Sequence, residues 1–217
     1  MRWRNISSIK RSLLLIKTGV KTMQVFVVYC HPSKKSFTHD MKQEFLKGLN
    51  EANHKFIVSD LYDMDFNEEM SEDEYEREAY YSTETPVAED VMEEQRKIQQ
   101  SDAIVFIYPV FWTEAPAKLV GWFDRVWTSG FAYNPNPKMK ILKKALFMVS
   151  AGKTLESLEE TGESNAMRIV MLGDRIRNRA LEKEMIIFDG TTHWDEAQRK
   201  QRIAEHLLNA YKAGLNF

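Results

Sequence analysis

Three short stretches of the chain combine side chains and backbone able to hold or transform a ligand. The first, His31-Pro32-Ser33-Lys34-Lys35-Ser36-Phe37-Thr38-His39, brings hydroxyls, two lysines and a histidine to the start of a helical pattern. Free N–H groups and the positive dipole end of a helix attract phosphate. The stretch lacks GxGxxG, so it is no dinucleotide turn of that kind, and a polar turn capped by Thr38 is the competing reading. The second, Tyr108-Pro109-Val110-Phe111-Trp112-Thr113-Glu114-Ala115-Pro116, sets two aromatic residues on a loop stiffened by prolines. Such a loop suits a flat ligand or a packed interface. The third, Ser150-Ala151-Gly152-Lys153-Thr154, ends like a P-loop, but the glycine that motif needs upstream is Phe147. What remains is a small-residue turn that lets backbone approach a ligand, with Lys153 available to offset negative charge.

Each stretch follows an apolar run of the kind expected of a strand buried on both faces. Strands are expected at Gln24–Cys30, Lys55–Ser59, Asp102–Tyr108, Ala145–Ser150 and Glu184–Phe188. Helical spacing is expected over Thr38–Asn53, Val87–Gln100, Pro116–Trp127 and Asp195–Ala213. Five strands alternating with helices imply an α/β doubly wound parallel sheet, whose ligands sit beyond the carboxyl ends of the strands at the switch in strand order. All three stretches occupy that edge.

The composition fits one such domain. The chain has 217 residues, 43% hydrophobic and 12% aromatic, which suffices for a large core and excludes disorder as the main state. Thirty basic against 32 acidic residues, a formal −2, give no global case for nucleic-acid binding. The single cysteine, Cys30, excludes a disulfide framework and multi-cysteine metal sites, and suits a reducing cytoplasm; a small core residue is the expected role. No apolar run approaches the roughly 20 residues of an integral membrane segment. Residues 1–22 carry six basic side chains and no acid, leaving 24 basic and 32 acidic residues beyond them. A targeting peptide, a disordered leader and a start codon placed too early are the three readings. The last is expected, with residues 23–217 as the domain proper, because Met23 opens a strand at once.

His31-Pro32 with Ser36-Phe37-Thr38, the Tyr108-Pro109-Val110-Phe111-Trp112 loop, Pro116-Ala117-Lys118-Leu119 running into Gly121-Trp122-Phe123-Asp124-Arg125-Val126, and Gly130-Phe131-Ala132-Tyr133 together resemble the NAD(P)H:quinone oxidoreductase family of flavodoxin-like flavoproteins. The match runs from about Met23 to Gly152. The resemblance implies a flavodoxin-like three-layer sandwich around a five-stranded parallel sheet. It also implies two-electron reduction of quinone-like acceptors by NAD(P)H through bound flavin, FAD in preference to FMN, in a homodimer. His31, Phe37 and Thr38 fall where the family binds the cofactor's phosphates and adenylate side, and Ser36 and Pro109 join the cofactor-binding set. Val110, Phe111, Trp112 and Thr113 fall on the loop that cradles the isoalloxazine ring, and Ser150, Ala151, Gly152 and Lys153 on the second ring-binding turn. The broad stripe of Trp122, Phe123, Val126 and Trp127 is consistent with a dimer interface or with plain core packing. A flavodoxin-like electron carrier and an ancillary flavin-binding subunit are the alternative functions.

The chain departs from the family in three places. Ser-Ala-Gly-Lys replaces the usual Thr-Thr-Gly-Gly. The tyrosine and histidine that some members use to balance charge on reduced flavin fall at Leu158 and Ser164, so no catalytic side chain is assigned. Only His193 and His206 stand where the zinc-binding branch has its ligands, and no metal is expected. The segment Asp60–Gln95 holds 15 acidic residues against Arg77 alone, expected to form mostly a solvated face that could also repel phosphorylated nucleotides.

Overall fold

Five apolar runs become one parallel sheet. The computed structural model describes residues 22–134, 136–192 and 195–217. The expectation for the leader falls, apart from Thr22, outside the described residues. The strands are β1 (Gln24–Tyr29), β2 (Lys55–Asp60), β3 (Ala103–Pro109), β4 (Leu142–Ser150) and β5 (Ala180–Phe188), in spatial order β2-β1-β3-β4-β5. The order reverses between β1 and β3, which makes their carboxyl ends the switch point.

Helices α1 (Phe37–Glu51) and α7 (Glu196–Leu215) cover one face of the sheet, against Val25, Val27, Tyr29, Val105 and Leu146. They cross closely at two glycines: a Cβ on Gly48 would lie 2.2 Å from the Tyr211 carbonyl oxygen, and one on Gly214 2.2 Å from that of Phe45. The other face is covered by α3 (Glu89–Gln100), α4 (Ala117–Val126) and the succession α5 (Leu155–Glu160), α6 (Glu163–Arg168) and a π-helical stretch, Ile169–Ile176. A short α2 (Glu72–Ala79) lies in the excursion between β2 and α3. The architecture is the expected three-layer flavodoxin-like sandwich.

One expectation is corrected and two are sharpened. Ser36, not Thr38, caps α1: its hydroxyl accepts from the His39 N–H at 3.2 Å, and Thr38 lies inside the first turn. Trp122, Phe123, Val126 and Trp127 are all buried within the chain's own core, the three aromatic rings in tilted or edge contact with Phe26, Phe106 and one another, which is the core-packing reading of the stripe. The acidic segment is mostly the expected solvated face, with a few carboxylates turned inward. Glu94 is fully buried and takes hydrogen bonds from Ser59, Lys97 and the Trp122 indole, while Glu74 and Asp90 clamp Arg125 of α4. A buried carboxylate persists only when so paired.

Candidate active site

The turn after β1 is folded on its own polar groups. The Ser33 N–H donates to His31 Nδ1 at 2.9 Å, which assigns the ring proton to Nε2 and leaves that N–H as a donor. Partial burial holds the His31 pKa below its ordinary value. Ser36 Oγ donates to the Ser33 carbonyl at 2.9 Å while capping α1, so the turn delivers the helix N-terminus to the sheet edge. Phe37 packs against Phe188 and His206, with ring centroids 6.4 and 6.0 Å away. Thr38 is buried, and its hydroxyl lies 2.8 Å from that of Ser150 at the end of β4.

The turn after β3 is strained. Pro109 pairs in register with Ser150, and the Val110 N–H donates to the Ser150 carbonyl at 2.8 Å. Phe111 and Glu114 then exchange both backbone hydrogen bonds at 2.9 Å. The two residues between them, Trp112 and Thr113, have φ of 51° and 69°. Positive φ at both central positions is the pattern of a type I′ turn, which ordinarily selects Asn and Gly. Trp and β-branched Thr hold it only at a cost, and such outliers gather at ligand sites. The Trp112 side chain is fully exposed and Phe111 about half exposed, and the N–H groups of Trp112 and Thr113 find no acceptor among the described residues.

The turn after β4 is laced to the turn after β5. Ala151 N–H donates to the Phe188 carbonyl, its own carbonyl accepts from Thr191, and the Lys153 carbonyl accepts from Gly190 N–H at 2.8 Å. Gly152 is required here, but by the protein itself: a Cβ would lie 2.6 Å from the Thr192 hydroxyl. The Lys153 ammonium sits 2.8 Å from both carboxylate oxygens of Glu163. Asp189 holds the β5 end together, accepting from Leu155 N–H and from Arg202.

The sheet therefore gathers all three predicted stretches at one edge, with Thr38–Ser150 and Val110–Ser150 as direct links between them. Leu158 and Ser164 are buried. Cys30 is fully buried at the end of β1, and burial pushes its thiol up to about 12, as suits a core residue. His193 lies outside the described residues, and His206 Nε2 donates to the Asp189 carbonyl at 2.9 Å. A cavity of about 490 Å³ lined by Phe123, Trp127, Tyr133, Arg175 and Arg179 lies along the C-terminal half of α4, not at the three turns.

Sequence reading missed Glu163 and the Asp189–Thr192 turn. The latter follows a strand's carboxyl end and was open to the same rule that selected the other three. Glu163 carries no local signal, because the cation it pairs with, Lys153, belongs to the turn after β4, outside its helix.

The family model for the flavodoxin-like fold matches residues 23–212. The chain is 32% identical over 162 residues to rat (Rattus norvegicus) ribosyldihydronicotinamide dehydrogenase [quinone], covering 67% of this chain and 70% of that protein. Among solved structures, NAD(P)H:quinone oxidoreductase from Methanothermobacter marburgensis shares 43% identity with a TM-score of 0.84, covering 90% of this chain and 96% of the other. A putative quinone reductase from Klebsiella pneumoniae shares the fold at 22% identity and a TM-score of 0.74. On the sheet order, the edge at which the three turns meet and these likenesses, the chain belongs to the flavodoxin-like NAD(P)H:quinone oxidoreductase family.

Proposed function

We propose that the chain is an NAD(P)H-dependent flavin oxidoreductase that passes two electrons to quinones or similar acceptors in ping-pong order. The observation that carries this reading is the strained Trp112–Thr113 turn beside the β1/β3 switch point, with an exposed indole and two backbone N–H donors that meet no acceptor among the described residues.

The residues present fit a flavin. Val110, Phe111, Trp112 and Thr113 would border the ring, offering N–H donors to its polar edge and apolar surface to its face. Ser150, Ala151, Gly152 and Lys153 would border it from the β4 side. His31 Nε2–H, Ser36, Phe37 and Thr38, with the α1 N-terminus, would hold the phosphate end. The match at His31 and Phe37-Thr38 favours FAD over FMN. When bound, flavin supplies hydride acceptance from NAD(P)H and its return to an acceptor.

The chain's own contribution is placement and charge. Trp112 and Phe111 shape one open face that admits donor and acceptor in turn, and this shared space enforces ping-pong kinetics. N–H dipoles fixed before the reaction favour negative charge on their partner without reorganising. No side chain needs to act as a strong acid or base. The names of the rat and Methanothermobacter marburgensis relatives support a quinone acceptor. We assign the protein to the cytoplasm on its single buried thiol, and to a homodimer on the family resemblance.

The test is an absorbance spectrum of the purified protein, repeated anaerobically after NADPH. Flavin absorbance that bleaches supports the reading. Flavin that stays oxidised favours an electron carrier or regulatory subunit, and no flavin after reconstitution with FAD or FMN overturns it.

A further inference from the structure

The amino-terminal ends of β4 and β5 border a second cavity of about 490 Å³, whose lining includes Tyr133, Asn134, Arg177, Asn178 and Arg179. Arg179 stands directly before β5, and its carbonyl accepts from the Leu142 N–H that opens β4 at 2.9 Å. β4 has nine residues, so at roughly 3.3 Å per residue its two ends lie about 26 Å apart. The cavity is therefore at the opposite edge of the sheet from the three turns.

No carboxylate among the described residues lines it. The acids nearby are engaged elsewhere. Glu78 accepts from Arg77, Ser129 and Tyr133, and Asp124 pairs with Arg175 at 2.9 Å. Asp174 acts on Arg179 only from a distance. Arg179 is nonetheless held in place: its Nε donates to the Ala132 carbonyl at 3.0 Å, and its guanidinium lies 5.7 Å from the centre of the Trp127 ring. Its Nη2 has no hydrogen-bond partner among the described residues. Burial and the like charge of Arg177 hold its pKa below the ordinary value, as befits a cation without a counter-ion.

Arg177 closes the π-helical stretch with φ 51° and ψ −108°, a backbone state that costs energy in any residue carrying a side chain. The Lys183 ammonium fixes this turn, donating to the carbonyls of Arg177 at 2.7 Å and Leu172 at 3.2 Å. The Arg177 side chain is exposed, with no hydrogen bond or ion pair among the described residues. Asn134 and Asn178 bring carboxamide donors to the same wall. Two guanidinium forks and two carboxamides, with no carboxylate, suit a phosphate group, whose several oxygens can each accept.

We propose that the cavity between Arg177 and Arg179 binds a phosphate group, free or carried on a small organic molecule. An organic part would extend into the neighbouring cavity, which shares Tyr133 and Arg179 and adds Phe123 and Trp127. The proposal does not rest on the flavin reading.

Calorimetric titration of the full chain with inorganic phosphate, in a zwitterionic buffer, tests it. Wild type is expected to show a phosphate site that Arg177→Gln weakens about tenfold, as hydrogen bonds to a charged partner are lost. Arg177→Gln should keep the wild-type urea midpoint, because the side chain it replaces has no partner. Arg179→Lys, which keeps the charge and loses the fork, should also bind more weakly. Lys140→Gln, at an exposed lysine outside the lining, should bind as wild type does. Adenosine monophosphate separates the two sources. Binding tighter than that of phosphate, and lost in Arg177→Gln, assigns the site to a phosphorylated organic molecule; binding no tighter assigns it to free phosphate. A wild-type chain that takes up neither probe at millimolar concentration overturns the proposal. So does a titration identical in wild type and Arg177→Gln, which would place the phosphate elsewhere, as at the α1 N-terminus. Equal losses in Lys140→Gln and Arg177→Gln overturn it too, since they would show diffuse attraction to a basic surface.

Discussion

The hydroxyls of Thr38 and Ser150 lie 2.8 Å apart, both buried, although 112 residues separate them in the chain. This bond sets the first turn of α1 against the end of β4, and so spaces the phosphate-facing and ring-facing parts of the site. Thr38→Val leaves the Ser150 hydroxyl buried without its partner and is expected to cost about 1–2 kcal/mol in urea unfolding. Ser150→Ala is expected to cost a similar amount. The double variant should cost clearly less than the sum, because it removes both polar groups together. Additive losses would show that the hydroxyls do not interact.

Trp112 gives a trade of stability for function. Its side chain packs on nothing, and its φ of 51° is unfavourable for a bulky residue such as Trp and costs glycine nothing. Trp112→Gly is expected to stabilise the flavin-free protein by about 1 kcal/mol, read as a raised urea midpoint, while weakening flavin affinity. A lowered midpoint would mean the turn is not strained.

Acid should destabilise the fold through a buried histidine. His54 accepts from the Met23 N–H at Nδ1, and burial pushes its pKa below the ordinary 6.5. The unfolded chain therefore binds this proton at higher pH than the folded one. The contribution is fully present above 6.5 and is lost as pH falls through the folded value, at no more than about 1.4 kcal/mol per pH unit. His31 shifts in the same direction for the same reason. Urea midpoints are expected to drop between pH 7.5 and pH 5, with a shallower slope in His54→Gln.

Cys30 should be silent in the folded state. With the thiol fully buried and pushed up to about 12, a thiol-reactive dye at pH 8 is expected to label it only after urea unfolds the chain. Rapid labelling of native protein would place the residue at an accessible, functional position.

The strands were legible because burial on both faces leaves a wholly apolar record, as in β3, where all seven residues are buried. Their starts were less so. β4 begins at Leu142 and β5 at Ala180, and both first segments carry charged residues such as Lys143 and Glu182, whose side chains stay in solvent while the backbone already pairs. Helix α2 shows no apolar period, but the capping box of Ser71 and Glu74 was readable and marks its start. Ser36 and Thr38 both offer a capping hydroxyl, and only the fold decides that one caps while the other turns inward to Ser150. The three site stretches were found because their backbone roles follow strand ends. Glu163 was not, because nothing in its own short helix marks it as the partner of Lys153 on the turn after β4.

The burial of β3 and its neighbours also governs how the site can fail. The three turns are rooted in β1, β3 and β4, the interior strands of the sheet, whereas β2 and the α2 excursion lie at its margin. Amide protons in the interior strands exchange only when the whole domain opens, while those at the margin exchange through local fluctuations. Warming or mild denaturant will therefore erode the periphery first and leave the roots of the site in place. Capacity to bind ligand should vanish together with the last protected amides, in one cooperative step.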